Sequence, residues 1–354
     1  MIKVGVIGMA FGADFHVPAF ARLDGVEITA LADGGSGRAA ELAAILPSAP
    51  SVYASGEELI ATENIDVVSI ATPPQFQLNL VLAAINAGKG VLCEKPLGLS
   101  VAESDAMVQA AEYHKVNTSV GFEMRYDRGI SALAKVVLAG RVGDVDNISV
   151  KWLTGGGNNP KRVNSWRDDK NKCAGIIGEY GVHVFDYARW ILQSRISSVH
   201  AKAETAVMWR PDKNGTMHPV TVPDSFDVSC KFENGATGRF MVSNASTANH
   251  GHNVAVTGDK GSISMHLYPP YQEGDIKLIF TNQAGVSQAI PMTIPSTGMM
   301  EDTRRGAFNA LVDDFINYQS NDLPTFSAGV AAQQVITAIQ LSLKSGASAE
   351  TLIA

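Results

Sequence analysis

Over the first 120 residues, short apolar runs alternate with stretches of helical period. Ile2–Ile7 is an apolar run closed by Gly8, and helix-like residues follow to Leu23. Val26–Ala32 reads as the next strand and Arg38–Leu46, rich in Ala, Glu and Leu, as a helix. Asp66–Ala71 is a buried-type strand ending at Thr72-Pro73-Pro74, followed by a helix over Leu78–Ala87 that Gly88 stops. Gly90–Cys93 is a strand ending at Glu94-Lys95-Pro96; a helix over Ala102–His114 and a strand over Asn117–Val120 complete the series. Strands spaced by helices predict βαβ units and a parallel, doubly wound sheet.

After Phe122 the period changes. A helix at Ile130–Ala139 leads into a turn at Gly140–Gly143, a strand at Ile148–Leu153 and a polar loop from Thr154 to about Ala174. A helix is expected over Ile176–Leu192, and strands dominate from there. Phe226–Phe232 and Ala236–Ser243 flank Glu233-Asn234-Gly235, a hairpin signal; Asn253–Thr257 and Ser262–Met265 flank Gly258-Asp259-Lys260-Gly261, a second one. Strands are expected at Ile276–Thr281 and Gln288–Ile294, and helices at Arg304–Tyr318 and Ser327–Lys344. The expected architecture is a Rossmann domain over 1–122 and, over 123–354, an α/β domain on a large, mostly antiparallel open sheet.

Composition narrows the classes. The 354 residues carry 28 Lys and Arg against 35 Asp and Glu, a net charge of −7, with 45% hydrophobic residues. A sizeable core can form, and nothing favours nucleic acid or an anionic membrane as a partner. Three cysteines, Cys93, Cys173 and Cys230, are too few for a disulfide framework. With no secretory signal or apolar stretch of spanning length, a soluble cytoplasmic protein is expected.

The first turn runs Gly8-Met9-Ala10-Phe11-Gly12-Ala13. Small residues between a strand and a helix let backbone approach a pyrophosphate, which the helix N-terminus then favours. The fingerprint positions are Gly8, Ala10 and Ala13, with Gly12 offset by one; an ordinary strand–helix turn uses small residues too. Asp33 ends the second strand, 21 residues after Gly12. A carboxylate there accepts from the adenosine ribose hydroxyls and repels a 2′-phosphate, which favours NAD; its alternative is a helix cap. Arg38, five residues on, keeps NADP open.

Two segments carry candidate chemistry. Lys95 follows a strand at its carboxyl end, where open α/β sheets bind ligands, and can orient a substrate hydroxyl; such a lysine is as often simply solvated. In Gly178-Glu179-Tyr180-Gly181-Val182-His183-Val184-Phe185-Asp186, a helix puts Glu179 and His183 on one face with Asp186 adjacent. That suits a general base tuned by carboxylates, and equally a core helix with one satisfied histidine.

Together these blocks resemble the glucose–fructose oxidoreductase / inositol dehydrogenase / rhizopine-catabolism (Gfo/Idh/MocA) family over nearly the whole chain. The marks are Val4–Gly8 with His16 and Pro18, Ala71-Thr72-Pro73-Pro74, Ala87–Leu97 with Glu94-Lys95-Pro96, Gly121-Phe122 with Arg125, Gly140–Gly143, Trp166-Arg167, Gly181–Asp186 and Gly258–Gly261. The Glu-Lys-Pro block with the Gly-x-His-x-x-Asp block about ninety residues later is the specific pairing.

The resemblance implies NAD(P)-dependent transfer of hydride between the cofactor and a secondary alcohol or ketone of a sugar or cyclitol. It makes Lys95 the family lysine, His183 the general acid/base and Glu179 its carboxylate partner, where relatives usually have Asp. It puts Gly8, Ala10, Phe11, Gly12, Asp33 and Arg38 at the cofactor, along with Thr72, Pro73, Gln77, Glu94, Trp166 and Arg167. Gln77 stands where relatives often have a histidine near the nicotinamide. Arg125 is expected to reach the substrate. The implied assembly is a homodimer or homotetramer through the open sheet.

Two other readings compete: a non-catalytic nucleotide sensor on the same fold, and a metal hydrolase using His183, Glu179, Asp186, His250 and His252, for which spacing assigns no third ligand. No metal is expected. The loop Thr154–Ala174, with Asn158, Asn159, Lys161 and Arg162, reads as a cover over substrate or cofactor, or as plain surface. Cys93 reads as a buried strand cysteine or a reactive thiol.

Overall fold

The computed structural model describes residues 1–62, 64–268, 276–292, 303–318 and 320–351. The chain divides into two compact units, one of residues 1–123 with 305–333, the other of 124–304 with 334–354.

The first unit holds β1 (Ile2–Ile7), α1 (Val17–Ala21), β2 (Val26–Ala32), α2 (Arg38–Ala43), β3 (Ser51–Tyr53), α3 (Gly56–Thr62), β4 (Val67–Ile70), α4 (Gln77–Asn86), β5 (Gly90–Cys93), α5 (Val101–His114) and β6 (Thr118–Val120). The strands form one parallel sheet ordered β3-β2-β1-β4-β5-β6. Sheets covered on both faces need continuous apolar strands, and every residue of β4 is buried accordingly. The order reverses between β1 and β4, so the ligand crevice of such a sheet lies at their carboxyl ends.

The second unit opens with α6 (Arg128–Leu138), whose first turn is capped by the Asp127 carboxylate accepting from the Gly129 and Ile130 amides. Then come β7 (Val145–Leu153), α7 (Val182–Leu192), β8 (Ile196–Glu204), β9 (Trp209–Pro211), β10 (Met217–Pro219), β11 (Ser225–Phe232), β12 (Thr237–Ser243), β13 (Gly251–Gly258), β14 (Gly261–Leu267), β15 (Ile276–Asn282) and β16 (Ser287–Ala289). α8 (Thr303–Asn317), α9 (Phe326–Ser345) and β17 (Ala349–Glu350) end the chain. Nine strands form a mixed sheet ordered β16-β15-β14-β13-β7-β12-β11-β8-β17, antiparallel except where β7 and β12 run parallel. Both predicted hairpins are present, as β11–β12 and β13–β14.

Four features differ from expectation. Residues 305–333, expected with the second domain, belong to the first unit. The strand expected over Gln288–Ile294 is confined to β16; residues 293 and 294 lie outside the described residues. The helix expected from Ile176 opens with a widened turn over Ile177–Gly181, in which the Val182 amide bonds back five residues to Ile177 O. Finally, among the described residues α9 is long and apolar enough to cross a membrane, although the sequence reading found no such stretch. Half of that stretch is buried, including Val335, Ile336, Ala338 and Ile339, which marks α9 as a core helix passing the same test.

Candidate active site

In the first unit, the turn after β1 is cleared for a ligand. Gly8 has φ +95°, and a Cβ there would stand 2.7 Å from Ala71 O. Only glycine fits this backbone without strain. A Cβ on Gly12 would meet Ala71 Cβ at 3.2 Å and Val6 Cγ1 at 3.4 Å, so Gly12 provides the close helix–strand packing. Ala10 is exposed. The helix that follows is also widened: the Val17 amide bonds to Gly12 O, five residues back, where Pro18 brings no N–H of its own. Phe11 stacks on Phe15 at 4.1 Å and meets Phe308 edge-on, so its ring belongs to an aromatic cluster. At the end of β4, Thr72 Oγ1 is buried without a hydrogen-bond partner beside the Gly8 cradle. A cleared backbone and a buried hydroxyl awaiting a partner fit a dinucleotide.

Asp33 caps the loop above it. Its Oδ1 accepts from the Gly35 amide at 2.8 Å; its Oδ2 accepts from Ser36 Oγ at 2.7 Å and the Ala39 amide at 3.0 Å. Burial is the largest single influence on its pKa and raises it, but the Ala39 amide, the Ser36 hydroxyl and the Gly35 and Ser36 amides together outweigh this and hold it below the usual value. The cap weighed as the alternative is thus present. Arg38 pairs with Asp14 at 3.1 Å in an exposed bridge.

Glu94-Lys95-Pro96 leaves β5 across a cis Lys95–Pro96 bond. From Val91 to Gly98 every residue is buried except Lys95, which is partly exposed. Glu94 Oε1 lies 3.2 Å from His16 Nε2, whose Nδ1 lies 2.7 Å from Ser69 Oγ. A Cβ on Gly121 would stand 2.6 Å from Glu94 Oε1, so that glycine makes room for the carboxylate. The sequence assigned His16 no role; its partner is 78 residues away, beyond any local spacing. Gln77 is fully buried. Its Nε2 donates to Glu94 O at 2.9 Å and Thr72 O at 3.4 Å, and its Oε1 accepts from the Gly98 amide at 2.8 Å. Both ends of the amide are taken by backbone, so the structure gives Gln77 a place behind the Lys95 turn. Burial, and then Glu94, push the Cys93 thiol well up, which removes the reactive-thiol reading.

In the second unit, His183 is buried near the start of α7. Asp186, expected beside it, is held by Arg125: Nε donates to Oδ2 at 2.7 Å and Nη2 to Oδ1 at 2.6 Å, a bidentate pair with Asp186 1% exposed. Arg125 is therefore tied to Asp186 within this unit. Glu179 sits on the widened turn, and its Oε1 lies 2.9 Å from Arg167 Nε. The Arg167 guanidinium lies over the Trp166 ring at 4.4 Å. The polar loop is pinned: Ser165 and Asp168 form a capping box, Asp168 also binds Arg162, and buried Arg210 donates to Asn159 O and Gly157 O at 2.7 Å each.

His252 departs from the metal-ligand reading. Its ring stacks on Trp152 at 4.3 Å, Trp152 stacks in turn on Tyr180 at 4.5 Å, and its Nε2 lies 2.9 Å from the Tyr187 hydroxyl. Burial pushes this imidazole down to about 3. His250 precedes the strand and is exposed. Among the described residues no group of three His, Cys, Asp or Glu side chains is placed to hold a metal ion.

A sheet of this order with a backbone cleared at its switch point places the protein among the dinucleotide-binding Rossmann proteins. Residues 2–122 match the model of the oxidoreductase family's NAD-binding Rossmann fold, and residues 134–351 match that of its C-terminal alpha/beta domain. The chain belongs to the Gfo/Idh/MocA oxidoreductase family. It is 26% identical to glucose-6-phosphate 3-dehydrogenase of Bacillus subtilis (strain 168), over 95% of each chain. It is 28% identical to myo-inositol 2-dehydrogenase of Thermotoga maritima, over 74% of each. A levoglucosan dehydrogenase solved with NADH and L-sorbose superposes with TM-score 0.87 at 25% identity, covering 100% of this chain and 99% of that one. The protein is thus an NAD-binding oxidoreductase of the dehydrogenase type.

Proposed function

We propose that this chain oxidises a secondary alcohol of a sugar or cyclitol, or reduces the corresponding ketone, with NAD. The observation that carries the reading is Lys95, the one open residue in a buried run at the carboxyl end of β5 in an NAD-binding sheet. The relatives named above are dehydrogenases of a sugar phosphate, a cyclitol and an anhydrosugar. Residues around Gly8, Gly12, Asp33 and Thr72 hold the dinucleotide, which when bound supplies the hydride acceptor. His183 takes the proton from the substrate hydroxyl as general base, and returns it in the reductive direction. Lys95 donates a hydrogen bond to the substrate oxygen and stabilises the negative charge that develops there. Glu179, with Arg167 against it, sets the charge around the base.

The test combines NADH binding, followed by nicotinamide fluorescence, with turnover of levoglucosan, myo-inositol and glucose 6-phosphate. Lys95→Ala and His183→Ala should each lose about 10²–10⁴ in turnover while still binding NADH. Full activity in both variants refutes the assignment. The proposal includes a homodimer or homotetramer through the open sheet, supported by β12, where Thr237, Arg239 and Met241 are exposed between buried neighbours. A single-chain mass in sedimentation equilibrium overturns that part.

A further inference from the structure

We propose that Gln77 and Gln333 are positioning residues for Lys95: they clamp the backbone on both sides of it, so that the only open side chain of this segment is delivered to one place. The inference rests on the reading of Lys95 given above and deepens it.

Gln77 comes from the start of α4 and grips the segment twice, donating to Glu94 O just before Lys95 and accepting from the Gly98 amide just after Pro96 and Leu97. Gln333, on α9 and 3% exposed, donates from Nε2 to Gly98 O at 2.6 Å and Leu97 O at 3.2 Å. One turn earlier on α9, a Cβ on Gly329 would stand 2.7 Å from Leu97 Cδ2 and 2.8 Å from Leu97 Cβ, so that glycine lets the helix come close enough for Gln333 to reach. Residues 94–98 make no strand of their own, and their buried amide and carbonyls need partners. Two buried primary amides supply them. Both glutamines are buried: each is placed to hold backbone, and apart from the Thr72 carbonyl that backbone is the Lys95 turn. A neutral imidazole likewise presents a donor and an acceptor on opposite edges.

The test needs no substrate. Trace labelling with acetic anhydride, read at each lysine by mass spectrometry with and without NADH, reports how accessible and how nucleophilic Lys95 is; Lys3 and Lys89 serve as internal references. In the wild-type protein NADH should slow labelling of Lys95 severalfold. In Gln77→Leu and Gln333→Leu the protection should be lost while the reference lysines are unchanged, and Gln77→His should restore it. Wherever one of the three probe alcohols is turned over, kcat should fall about a hundredfold in Gln77→Leu, the scale of a misplacement near 1 Å, with KM little changed. If a leucine variant does not fold, Gln77→Glu is read instead: it keeps the acceptor for Gly98 and lacks the donor for Glu94 O. Wild-type protection that persists undiminished in the Gln77 and Gln333 variants overturns the inference and leaves the role of Lys95 standing. Absence of protection in the wild-type protein overturns the role of Lys95, and the inference with it.

Discussion

Acidification should weaken the second unit through one residue. His252 is buried at 2% exposure between Trp152 and the Tyr187 hydroxyl, and burial moves its pKa from 6.5 to about 3. A depressed folded-state pKa means that below pH 6.5 the unfolded chain takes up a proton that the folded chain refuses. The stability tied to the neutral ring is therefore fully present above pH 6.5 and drains as pH falls towards about 3. The slope is about 1.4 kcal/mol per pH unit for one group, so going from pH 7 to pH 5 should remove about 2 kcal/mol. That corresponds to a fall of roughly 4–8 °C in the melting temperature of a unit this size. The control is the double variant His252→Phe with Tyr187→Phe. It keeps an aromatic ring against Trp152 and removes both polar partners together, a change that is close to neutral when the shapes match. Urea denaturation at pH 7, 6 and 5 gives the stability of each protein, and subtracting one series from the other cancels the remaining histidines. A wild-type curve that tracks the double variant across this range would refute the reasoning, because it would mean that His252 either stays accessible to protons or is not what the unit protects.

Three further outcomes follow from the geometry. Gly8→Ala should cost about 1–3 kcal/mol of stability from its positive φ and the clash with Ala71 O, and should weaken NADH binding in a fluorescence titration; unchanged affinity would remove that turn from the cofactor site. Arg125→Ala removes the bidentate partner of the buried Asp186 carboxylate, leaving Arg189 as the cation that acts on it, and should cost up to about 3–5 kcal/mol in chemical denaturation, whereas adding Asp186→Asn should recover part of the loss. All three thiols are buried, with Cys173 and Cys230 pushed up to about 12, so an aromatic disulfide reagent should react only after unfolding.

The parallel sheet was legible in the sequence because its strands are continuous apolar runs punctuated by Gly and Pro, and both hairpins were legible because their turns are local. The order of the nine-stranded sheet was not: β7 lies between β12 and β13, pairings across about a hundred residues that leave no trace in period or spacing. Lys95 and His183 stood out through residue type and motif. Asp33 carried two alternative readings in the sequence, and only the loop geometry showed that the cap is made. The protein partners of Gln77 and Arg125 were not legible, for a common reason. Each is a polar residue near a motif, and whether such a side chain faces ligand or backbone depends on partners distant in the chain: Gln77 on the Glu94–Gly98 turn, Arg125 on Asp186, 61 residues on.

The return of residues 305–333 to the first unit bears on how the protein is made. The sheet of that unit is translated early, but Phe308, against Phe11, Phe15 and His16, and Gln333, against Leu97 and Gly98, emerge from the ribosome only after residues 124–304 of the other unit. At roughly 5–20 residues per second, the nascent Rossmann sheet waits on the order of 10–40 s for its last pieces. During that interval its aromatic cluster is uncovered and the Lys95 turn is only half clamped. Vectorial synthesis therefore cannot finish the two units one after the other; the cofactor-binding half becomes complete only once most of the other has been made.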